Sequence, residues 1–541
     1  MLTVLQRCFP YLIICIIGFI LYVKVLFFGL TYLDDNVWLL DYGWFFKDLS
    51  NAVSFFTKSD FISGAFYRPI LNFSFMMDAQ IGGEKPFIYH LTNIIVHLFN
   101  SCLVFHLFNR LGYERKVTLS FALIFLTHPV FAQAIAWIPG RTDSLLGSFV
   151  FLSFIAFINW LDKGKITNFG LHVLFLIGAL LVKETAISLP VVCMLYAWLI
   201  KGRTVSSQKW QIVLWALVLG VWYFIRSSII SPTSHVSLIT AASSIFSNLP
   251  AVISYVGKII LPVNLSVLPI LKDTNFIYGI VSVIILTFGV VLSKHKRNNY
   301  LIFGLVWFLV FLLPSLIISF LTHEYRVYVP MIGFMMIILE MDIIRLLKQS
   351  QRRWVAASVV IIGIFFITTW NYSYQYKDRL TFWRNAVNTW PRSPLAQRNL
   401  GAMYFLTNQW DMAEIQFQKA LALNPSEKMA HNNLGLIYMN QERFQEAEAQ
   451  YLAEIKINPT YDTVYFNLGV LYYKVNQWDK AEMLWKKTIE LNYKYIDAYK
   501  NLIVLYVNSG RMKEAAFYIA RVIEKGVVLP EQYVDIMRQY Q

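Results

Sequence analysis

Two adjacent carboxylates, Asp34 and Asp35, follow the first strongly apolar segment and are the residues best placed to do chemistry. That segment, residues 11–30, is long enough to cross a hydrocarbon core of roughly 30 Å as a helix. A carboxylate beside such a low-dielectric region is costly unless it is paired, solvated or catalytic. The pair is therefore interpreted either as the start of a solvated loop or as catalytic. Paired aspartates are also able to hold Mg²⁺ or Mn²⁺ through oxygen ligands, so the sequence leaves metal dependence open.

A long aromatic-rich loop follows the aspartates and contains the motif Tyr67-Arg68-Pro69. Aromatic side chains favour the headgroup layer, which predicts that this loop lies along the membrane surface. Arg68 is a fixed cation in this layer, and a guanidinium group binds phosphate oxygens bidentately. Arg68 therefore suits a phosphate ligand, while an interfacial anchor is an equally good interpretation.

Further polar clusters interrupt the apolar sequence. His90 shares one helical face with Asn93 and His97, and interhelical hydrogen bonding is favoured over metal binding for that face. The other clusters would by default be ion pairs at helix ends. Their occurrence together with two aspartates instead predicts a shared polar cavity at the membrane surface. These clusters are His128 to Asp143, which includes Gln133 and Arg141, then Lys183-Glu184, and His323 to Tyr328, which includes Glu324 and Arg326.

The composition indicates which elements must position these residues. Hydrophobic residues make up 57% and charged residues 15% of the 541 positions, against about 25% charged residues in soluble domains. The sequence therefore predicts an integral membrane protein up to about Tyr372, followed by a soluble domain. The net charge of +15 does not indicate nucleic-acid binding, because many basic residues lie in short tracts between apolar runs. The four cysteines lie in or beside apolar segments, so no disulfide framework or zinc motif is expected.

The basic tracts predict the membrane topology. Arg7 precedes the first apolar run, which places the N-terminus in the cytoplasm, and the run is interpreted as a retained anchor. Residues 246–271 contain three prolines and are interpreted as an interfacial or re-entrant segment. The polar clusters and the C-terminal domain then lie outside the cytoplasm. The eleven predicted spans are 11–30, 87–108, 117–137, 144–161, 167–182, 185–200, 211–230, 276–293, 300–321, 328–344 and 355–372.

The C-terminal part repeats every 34 residues from about Pro394, which is the tetratricopeptide (TPR) pattern. Four repeats, the last one degenerate, exceed the roughly three that a stable solenoid needs. The stack predicts a concave groove for an extended peptide of a substrate protein, and the alternative is a spacer or oligomerisation module. The predicted domains are 1–375 and 376–541. The aligned pairs are Leu400-Gly401, Leu434-Gly435, Leu468-Gly469 and Leu502-Ile503.

The order and spacing of these motifs resemble the transmembrane and TPR-containing O-mannosyltransferase family, which belongs to the GT-C membrane glycosyltransferases. The resemblance covers nearly the whole chain, with one departure at Gln133, where the family usually has an acid. The motifs that carry it are Tyr67-Arg68-Pro69, His90-Leu91-Thr92-Asn93 with His97, the run from His128-Pro129 to Gly140-Arg141-Thr142-Asp143, Lys183-Glu184-Thr185, and Glu324 to Pro330.

The resemblance implies a polyprenyl- or dolichyl-phosphate-linked sugar, typically mannose, as the donor and a protein hydroxyl as the acceptor. It implies that Asp34 or Asp35 is the catalytic base. We choose Asp35, with Asp34 as its partner or a metal ligand. The physical logic agrees, because a hydroxyl needs a positioned base and a departing phosphate needs cations. The predicted contacts to the lipid phosphate or sugar are Arg68 and Arg326, ranked first, then Arg141, Lys183, Glu184, His128, Asp143, Glu324, Tyr67 and His90.

The sequence thus predicts an all-α protein with a GT-C-like membrane domain and a TPR solenoid. We expect its active site and TPR domain on the outer side of the cell membrane or in the ER lumen. Its expected partners are the lipid-linked sugar, a protein acceptor and membrane lipid, but no nucleic acid. The alternative is a catalytically inactive membrane scaffold that recruits proteins through its TPR domain. A transporter is disfavoured because transport sites usually lie near the membrane midplane.

Overall fold

The structure is a computed structural model that describes residues 2–60, 64–230, 237–271, 274–317, 323–525 and 529–540. The helices and their packing in these ranges confirm the predicted all-α architecture. The chain divides into two compact units, Met1–Thr389 and Trp390–Gln541. Residues 376–389, which the sequence argument placed in the C-terminal domain, fall in the first unit.

The first unit, here called the membrane unit, is built from helices joined by short 3₁₀ and π segments. Proline occupies the first turn of several helices, where its missing N–H group has no helical partner to lose. The described α-helices are α1 Leu2–Tyr22, α2 Gly43–Phe46, α3 Pro69–Gly82, α4 Pro86–Arg110, α5 Arg115–Thr127, α6 Ala132–Ala136, α7 Arg141–Lys163, α8 Ile166–Val182, α9 Leu189–Leu199, α10 Lys209–Ile229, α11 Leu238–Asn248, α12 Pro250–Ile260, α13 Ile277–Leu292, α14 Asn298–Leu312, α15 Met331–Leu339, α16 Asp342–Lys348, α17 Gln351–Ser373 and α18 Arg379–Thr389.

Fewer helices are long enough to cross a membrane than the eleven spans that the sequence predicted. Among the described residues, six helical segments are long and apolar enough to cross a membrane, or eight if each of two bent helix pairs counts as one span. Three shorter apolar helices, α8, the segment Glu184–Leu199 and α13, would raise the total to eleven. One bent pair, α11 with α12, is a broken span or a re-entrant loop. Only α12 and the end of α11 fall within the predicted re-entrant segment 246–271. The exact count of spans stays a prediction.

The predicted span 328–344 is not one continuous helix. It contains α15, of nine residues, and the start of α16. Helix α15 packs closely on α14 through Gly304 and Gly333, because a Cβ atom at Gly304 would come within 2.7 Å of the Gly333 carbonyl oxygen. Small residues let membrane helices approach backbone to backbone, where packing rather than the hydrophobic effect drives association.

The second unit, here called the TPR unit, confirms the predicted repeats as four antiparallel helix pairs and a final helix. In each of the first three repeats a glycine of the first helix packs against an aromatic ring of the second, as Gly435 does against Tyr451. Alanines such as Ala413 and Ala447 are fully buried at this interface. The helices are α19 Pro394–Leu406, α20 Trp410–Leu423, α21 Ala430–Asn440, α22 Phe444–Ile457, α23 Asp462–Lys474, α24 Trp478–Leu491, α25 Ile496–Asn508, α26 Met512–Glu524 and α27 Glu531–Tyr540.

Candidate active site

The membrane unit contains a cavity of about 230 Å³ that is lined by acidic, basic and aromatic side chains. Three of the polar clusters singled out in the sequence meet here with Asp34 and Arg68. The cavity walls come from segments that are far apart along the chain. The lining residues are Asp34, Trp38, Asp60, Phe66, Arg68, Leu71, Asn72, Trp137, Pro139, Thr142, Asp143, Lys183, Glu184, Thr185, Pro314, Ser315, His323, Tyr325 and Arg326.

The two aspartates have different surroundings, and only Asp34 lines the cavity. The Asp35 carboxylate is buried and accepts hydrogen bonds from the Thr31 N–H (2.6 Å), the Thr31 hydroxyl (2.9 Å) and the Tyr32 N–H (2.8 Å). Both Tyr32 and Asp34 have positive φ, 59° and 68°, so the backbone turns tightly around this carboxylate. The structure therefore changes our choice of Asp35 as the base. The oxygens of Asp35 hold the turn together, whereas Asp34 faces the cavity.

Two indole groups fix the same turn from elsewhere in the unit. The Trp137 Nε1–H donates to the Leu33 carbonyl (2.9 Å), and the Trp383 Nε1–H donates to the Thr31 carbonyl (3.1 Å). The residues that flank Asp34 are thus held by partners about a hundred and 350 positions away. The position of Asp34 is set by tertiary contacts and not by the turn alone.

Both aspartates titrate above the ordinary range of a carboxyl group. Burial raises the pKa of Asp34, and the negative charge of Asp60 raises it further. Burial raises the pKa of Asp35 to about 6, against hydrogen bonds from its own turn that oppose the shift. A raised pKa makes the Asp34 carboxylate a stronger base than an ordinary aspartate.

Two of the predicted cations line the cavity as members of ion pairs. The Arg68 Nη2 lies 2.9 Å from Glu184, and the Arg68 guanidinium also stacks over the Phe66 ring at 4.0 Å from its centroid. The Lys183 Nζ donates to both oxygens of Asp143, at 2.9 and 2.7 Å. All four charged side chains are at least about three-quarters buried. Each pair holds a cation in one orientation at the cavity wall.

The third cation, Arg326, lies on the 3₁₀ segment Glu324–Val327, and its Nη1 donates to the Ser315 carbonyl (3.1 Å). The neighbouring Glu324 points away from the cavity lining. Its buried carboxylate pairs with Lys258 (2.7 Å) and accepts the Ser266 N–H (3.1 Å). Glu324 therefore anchors the segment that carries Arg326 and is not a wall of the cavity.

One wall of the cavity is a row of rings. His323 stacks on Trp137 with centroids 6.1 Å apart, and on Tyr325 at 5.1 Å. Burial lowers the pKa of His323 well below its usual range, and the charges of Arg326, Lys183 and Lys258 lower it further. The Gln133 side chain lies 3.3 Å from the His323 Nδ1 and donates to the Val267 carbonyl. An uncharged amide beside a neutral histidine leaves this wall without a net charge.

The structure does not bring Arg141 to the cavity. Its guanidinium is fully buried and forms an ion pair with Asp78 (2.5 Å). It also donates to the Asn93 side chain (2.6 Å) and the Tyr89 carbonyl (2.8 Å). Arg141 therefore joins α7 to α3 and α4 and is not placed to contact a phosphate in the cavity.

Three other predicted site residues also lie outside the cavity lining. The His128 Nε2 lies 3.0 Å from the Ile259 carbonyl, and the Tyr67 hydroxyl donates to the Phe56 carbonyl (3.3 Å). His90 is buried at 1% exposure in α4. Each of these residues packs the helices around the site.

The sequence argument missed several residues that the structure places at or beside the cavity. Asp60 and Asn72 line it, while Lys258 and Asp78 neutralise Glu324 and Arg141. Asp78 could have been predicted to form an ion pair, because a lone acid in an apolar helix requires a buried cation as its partner. Asp60 lies in the aromatic loop and had no such signal.

The described residues fit a divalent metal ion poorly. Within them, no three or more histidine, cysteine, aspartate and glutamate side chains are grouped so as to hold a metal ion. Asp35 is poorly placed as a ligand partner of Asp34, because it does not line the cavity and both of its oxygens accept hydrogen bonds from the turn.

Known proteins resemble this chain in its repeats and in its overall sequence. The tetratricopeptide repeat family matches residues 407–462. The human "Protein O-mannosyl-transferase TMTC1" is 30% identical over 24% of this chain and 16% of its own length. The Caenorhabditis elegans "Protein O-mannosyl-transferase F38B6.6" is 22% identical over 66% of this chain and 54% of its own length. Among solved structures, "Crystal structure of MamA" is 24% identical over 27% of this chain and 86% of that chain, with a TM-score of 0.26.

The matched region spans only about a sixth of the human relative. The relatives' names and the repeat match confirm the predicted resemblance to the TPR-containing O-mannosyltransferase family. The apolar helices support a membrane protein.

Proposed function

We propose that this protein transfers mannose from a polyprenyl- or dolichyl-phosphate carrier to a hydroxyl group of a protein acceptor. The observation that carries the proposal is the cavity that Asp34 lines together with Arg68, Lys183 and Arg326. A base and a set of cations around one enclosed space are the two parts that such a transfer needs. The relatives' names supply the sugar.

In this proposal Asp34 accepts the proton of a serine or threonine hydroxyl. As that proton leaves, the acceptor oxygen forms a bond to the anomeric carbon and the bond from that carbon to the phosphate oxygen breaks. The phosphate leaves with the electron pair, so a single displacement inverts the anomeric centre. The raised pKa of Asp34 favours the proton transfer, because base strength rises with pKa.

Arg68, Lys183 and Arg326 stabilise the negative charge that grows on the departing phosphate. Asp143 and Glu184 hold two of these cations in place, so the site needs little rearrangement when charge develops. The neutral rings of Trp137, His323 and Tyr325 offer an apolar surface for the sugar. Asp35 keeps the turn that carries Asp34 and acts as a positioning residue.

We further propose that the TPR unit binds the acceptor protein, and that the cavity opens on the extracytoplasmic side. The orientation follows from the basic tracts of the sequence. A single cysteine added to the TPR unit of a variant without its four native cysteines tests it. Labelling of intact cells, or of sealed ER vesicles only after their lumen is opened, by an impermeant thiol reagent supports the orientation. Labelling only from the cytoplasmic side contradicts it.

The central test incubates purified protein with radiolabelled polyprenyl-phosphate mannose and a serine- and threonine-containing acceptor. We expect transfer by the natural protein and a loss of about 10²–10⁴-fold in Asp34→Asn, the usual contribution of a general base. Asparagine tolerates the positive φ of this position, so the variant is expected to fold. No transfer by the natural protein would instead support the inactive-scaffold alternative.

The matched control is Asp41→Asn, which removes an exposed carboxylate of the same segment that is not part of the cavity lining. We expect this variant to retain activity. Full activity in Asp34→Asn would refute the base assignment, and equal losses in both variants would show that the assay reports folding rather than catalysis.

A further inference from the structure

Helix α16 lies between two cavities of opposite character in the membrane unit. The first, here called the apolar cavity, has a volume of about 500 Å³ and is lined almost entirely by apolar residues of α5, α12, α15, α16 and α17. The second, here called the charged cavity, has a volume of about 670 Å³. Ile344 lines both cavities, Leu347 lines the apolar one, and Arg345 and Lys348 line the charged one. Because the two cavities adjoin at α16, one amphiphilic molecule is able to occupy both.

The charged cavity lies at the end of the membrane unit opposite the candidate active site. Asp143, in the first turn of α7, lines the candidate active site, whereas Asp162, near the end of α7, pairs with Arg110 in the last turn of α4. Gly112 and Tyr113 follow α4 directly and line the charged cavity. The 19 residue steps from Asp143 to Asp162 span about 28 Å of helix, close to the roughly 30 Å of a hydrocarbon core. The two sites therefore belong to opposite faces of the membrane.

The apolar cavity extends along much of α17. Its lining on that helix runs from Trp354 to Thr368, which is about 21 Å at 1.5 Å per residue. Three polar side chains on its wall, His128, Ser358 and Thr368, are already hydrogen-bonded within the protein. A space of this volume is far larger than the voids of a packed interior, and an apolar space favours hydrocarbon over water. Its length matches an acyl chain that enters from one face of the membrane.

The charged cavity has positive charge to spare. Its three acidic side chains are each engaged by a basic residue, but the exposed Arg345 side chain has no ion-pair or hydrogen-bond partner within the described part of the chain. The neighbouring segments 294–297 and 345–353 contain three and four lysines and arginines and no acid. An anion is therefore the expected ligand. The acids contact their partners as Glu340 with Arg297 (2.5 Å), Glu114 with Lys348 (2.5 Å) and Asp342 with the Lys294 N–H (2.9 Å).

We propose that the two cavities together bind one anionic phospholipid, with its phosphate at Arg345 beside Lys348 and one acyl chain in the apolar cavity. Helix α16 suits the membrane interface, because Ile343 and Leu346 are each 52% exposed on its remaining face. Basic pockets between membrane helices recognise such headgroups by charge. The lipid belongs to the leaflet opposite the candidate active site, so it is distinct from a sugar donor. The inference does not rest on the proposed transfer reaction.

The test is native mass spectrometry of the full-length protein in detergent, after exchange with dioleoyl phosphatidylglycerol or dioleoyl phosphatidylcholine. These lipids have the same acyl chains and differ in headgroup charge. We expect one phosphatidylglycerol per protein, retained at least about fivefold more strongly than phosphatidylcholine. Equal retention of the two lipids would overturn the proposal. Displacement of phosphatidylglycerol by an equal concentration of polyprenyl phosphate, or by glycerol 3-phosphate without acyl chains, would also overturn it.

The headgroup contact is tested by Arg345→Gln. This variant should retain phosphatidylglycerol about fivefold less strongly, the factor that one basic residue contributes near an anionic lipid, and should retain phosphatidylcholine unchanged. The matched control is Lys163→Gln, which removes an exposed cation at the end of α7 that is not among the residues lining either cavity. Equal losses in both variants would show that overall charge governs retention and would contradict the assigned site.

The acyl-chain contact is tested by Ala357→Phe, which places a ring in the apolar cavity. The matched control is Ala356→Phe, at the neighbouring exposed position of the same helix, which is not part of the cavity lining. We expect Ala357→Phe to lose the bound lipid and Ala356→Phe to keep it, while both elute from size exclusion as the natural protein does. Retention of the lipid by both would overturn the proposal. If Ala357→Phe fails to fold, Arg345→Gln, at an exposed position, still decides the outcome.

Discussion

The membrane unit and the TPR unit use polar residues in contrasting ways. The membrane unit assembles a cavity from residues between positions 34 and 326, and four of its seven charged lining residues form two buried ion pairs. The TPR unit instead places one residue type at one position four times, on a surface built from contacts between neighbouring repeats. A site of the first kind depends on every partner, because a buried charge that loses its partner is strongly destabilising. A substitution on the repeated surface removes only one of several equivalent residues.

The largest difference in stability is expected at the Arg141–Asp78 pair. Arg141→Met leaves the Asp78 carboxylate buried without its cation, and we expect the free energy of unfolding to fall by about 3–5 kcal/mol. The matched change in the TPR unit is Lys487→Ala, which removes an exposed ion pair with Glu490 and should cost below about 0.5 kcal/mol. Thermal or denaturant unfolding of the purified protein in detergent measures both. Similar small decreases in the free energy of unfolding for both variants would contradict the predicted difference between the two units.

A second comparison separates the two adjacent aspartates. Asp35→Ala leaves the buried N–H groups of Thr31 and Tyr32 without their acceptor, which should lower the free energy of unfolding by about 2–4 kcal/mol. Asp34→Asn should change stability far less while lowering the transfer rate by about 10²–10⁴-fold. Unfolding curves and transfer rates measured on the same preparations test this. A stable Asp35→Ala variant with normal activity would refute the positioning role.

The smallest predicted effect is on the pH dependence of transfer. Asp34 must be ionised to accept a proton, so activity should fall as the pH drops through its raised pKa. Asp60→Asn removes a negative charge that raises this pKa, so the acidic limb should move to lower pH. A pH profile of the transfer rate measures the shift, with Asp41→Asn as the control. A shift to higher pH would show that Asp60 acts on another group.

The TPR unit was easier to predict from sequence than the cavity, because its contacts repeat locally while those of the cavity join distant residues. The TPR helices were predicted from a 34-residue period, in which residues such as the Leu434-Gly435 pair and Ala447 recur in each repeat. The cavity residues Arg68, Lys183 and Arg326 were predicted because charges are rare in apolar sequence. Which residues pair was not predicted, since the sequence does not reveal that Lys183 meets Asp143 and that Arg68 meets Glu184. The choice between Asp34 and Asp35 depended on a turn with two positive φ angles, which local sequence did not specify.

The two indole hydrogen bonds on the Asp34 turn have a consequence for the biosynthesis of the protein. Thr31 leaves the ribosome early, but its partner Trp383 follows 352 residues later. At about 5–20 residues per second, the turn waits roughly 20–70 s for its second anchor. Helix α18 must be made and docked before the turn reaches its final form. The turn that carries Asp34 is therefore expected to reach its final form only when the last helix of the membrane unit is complete.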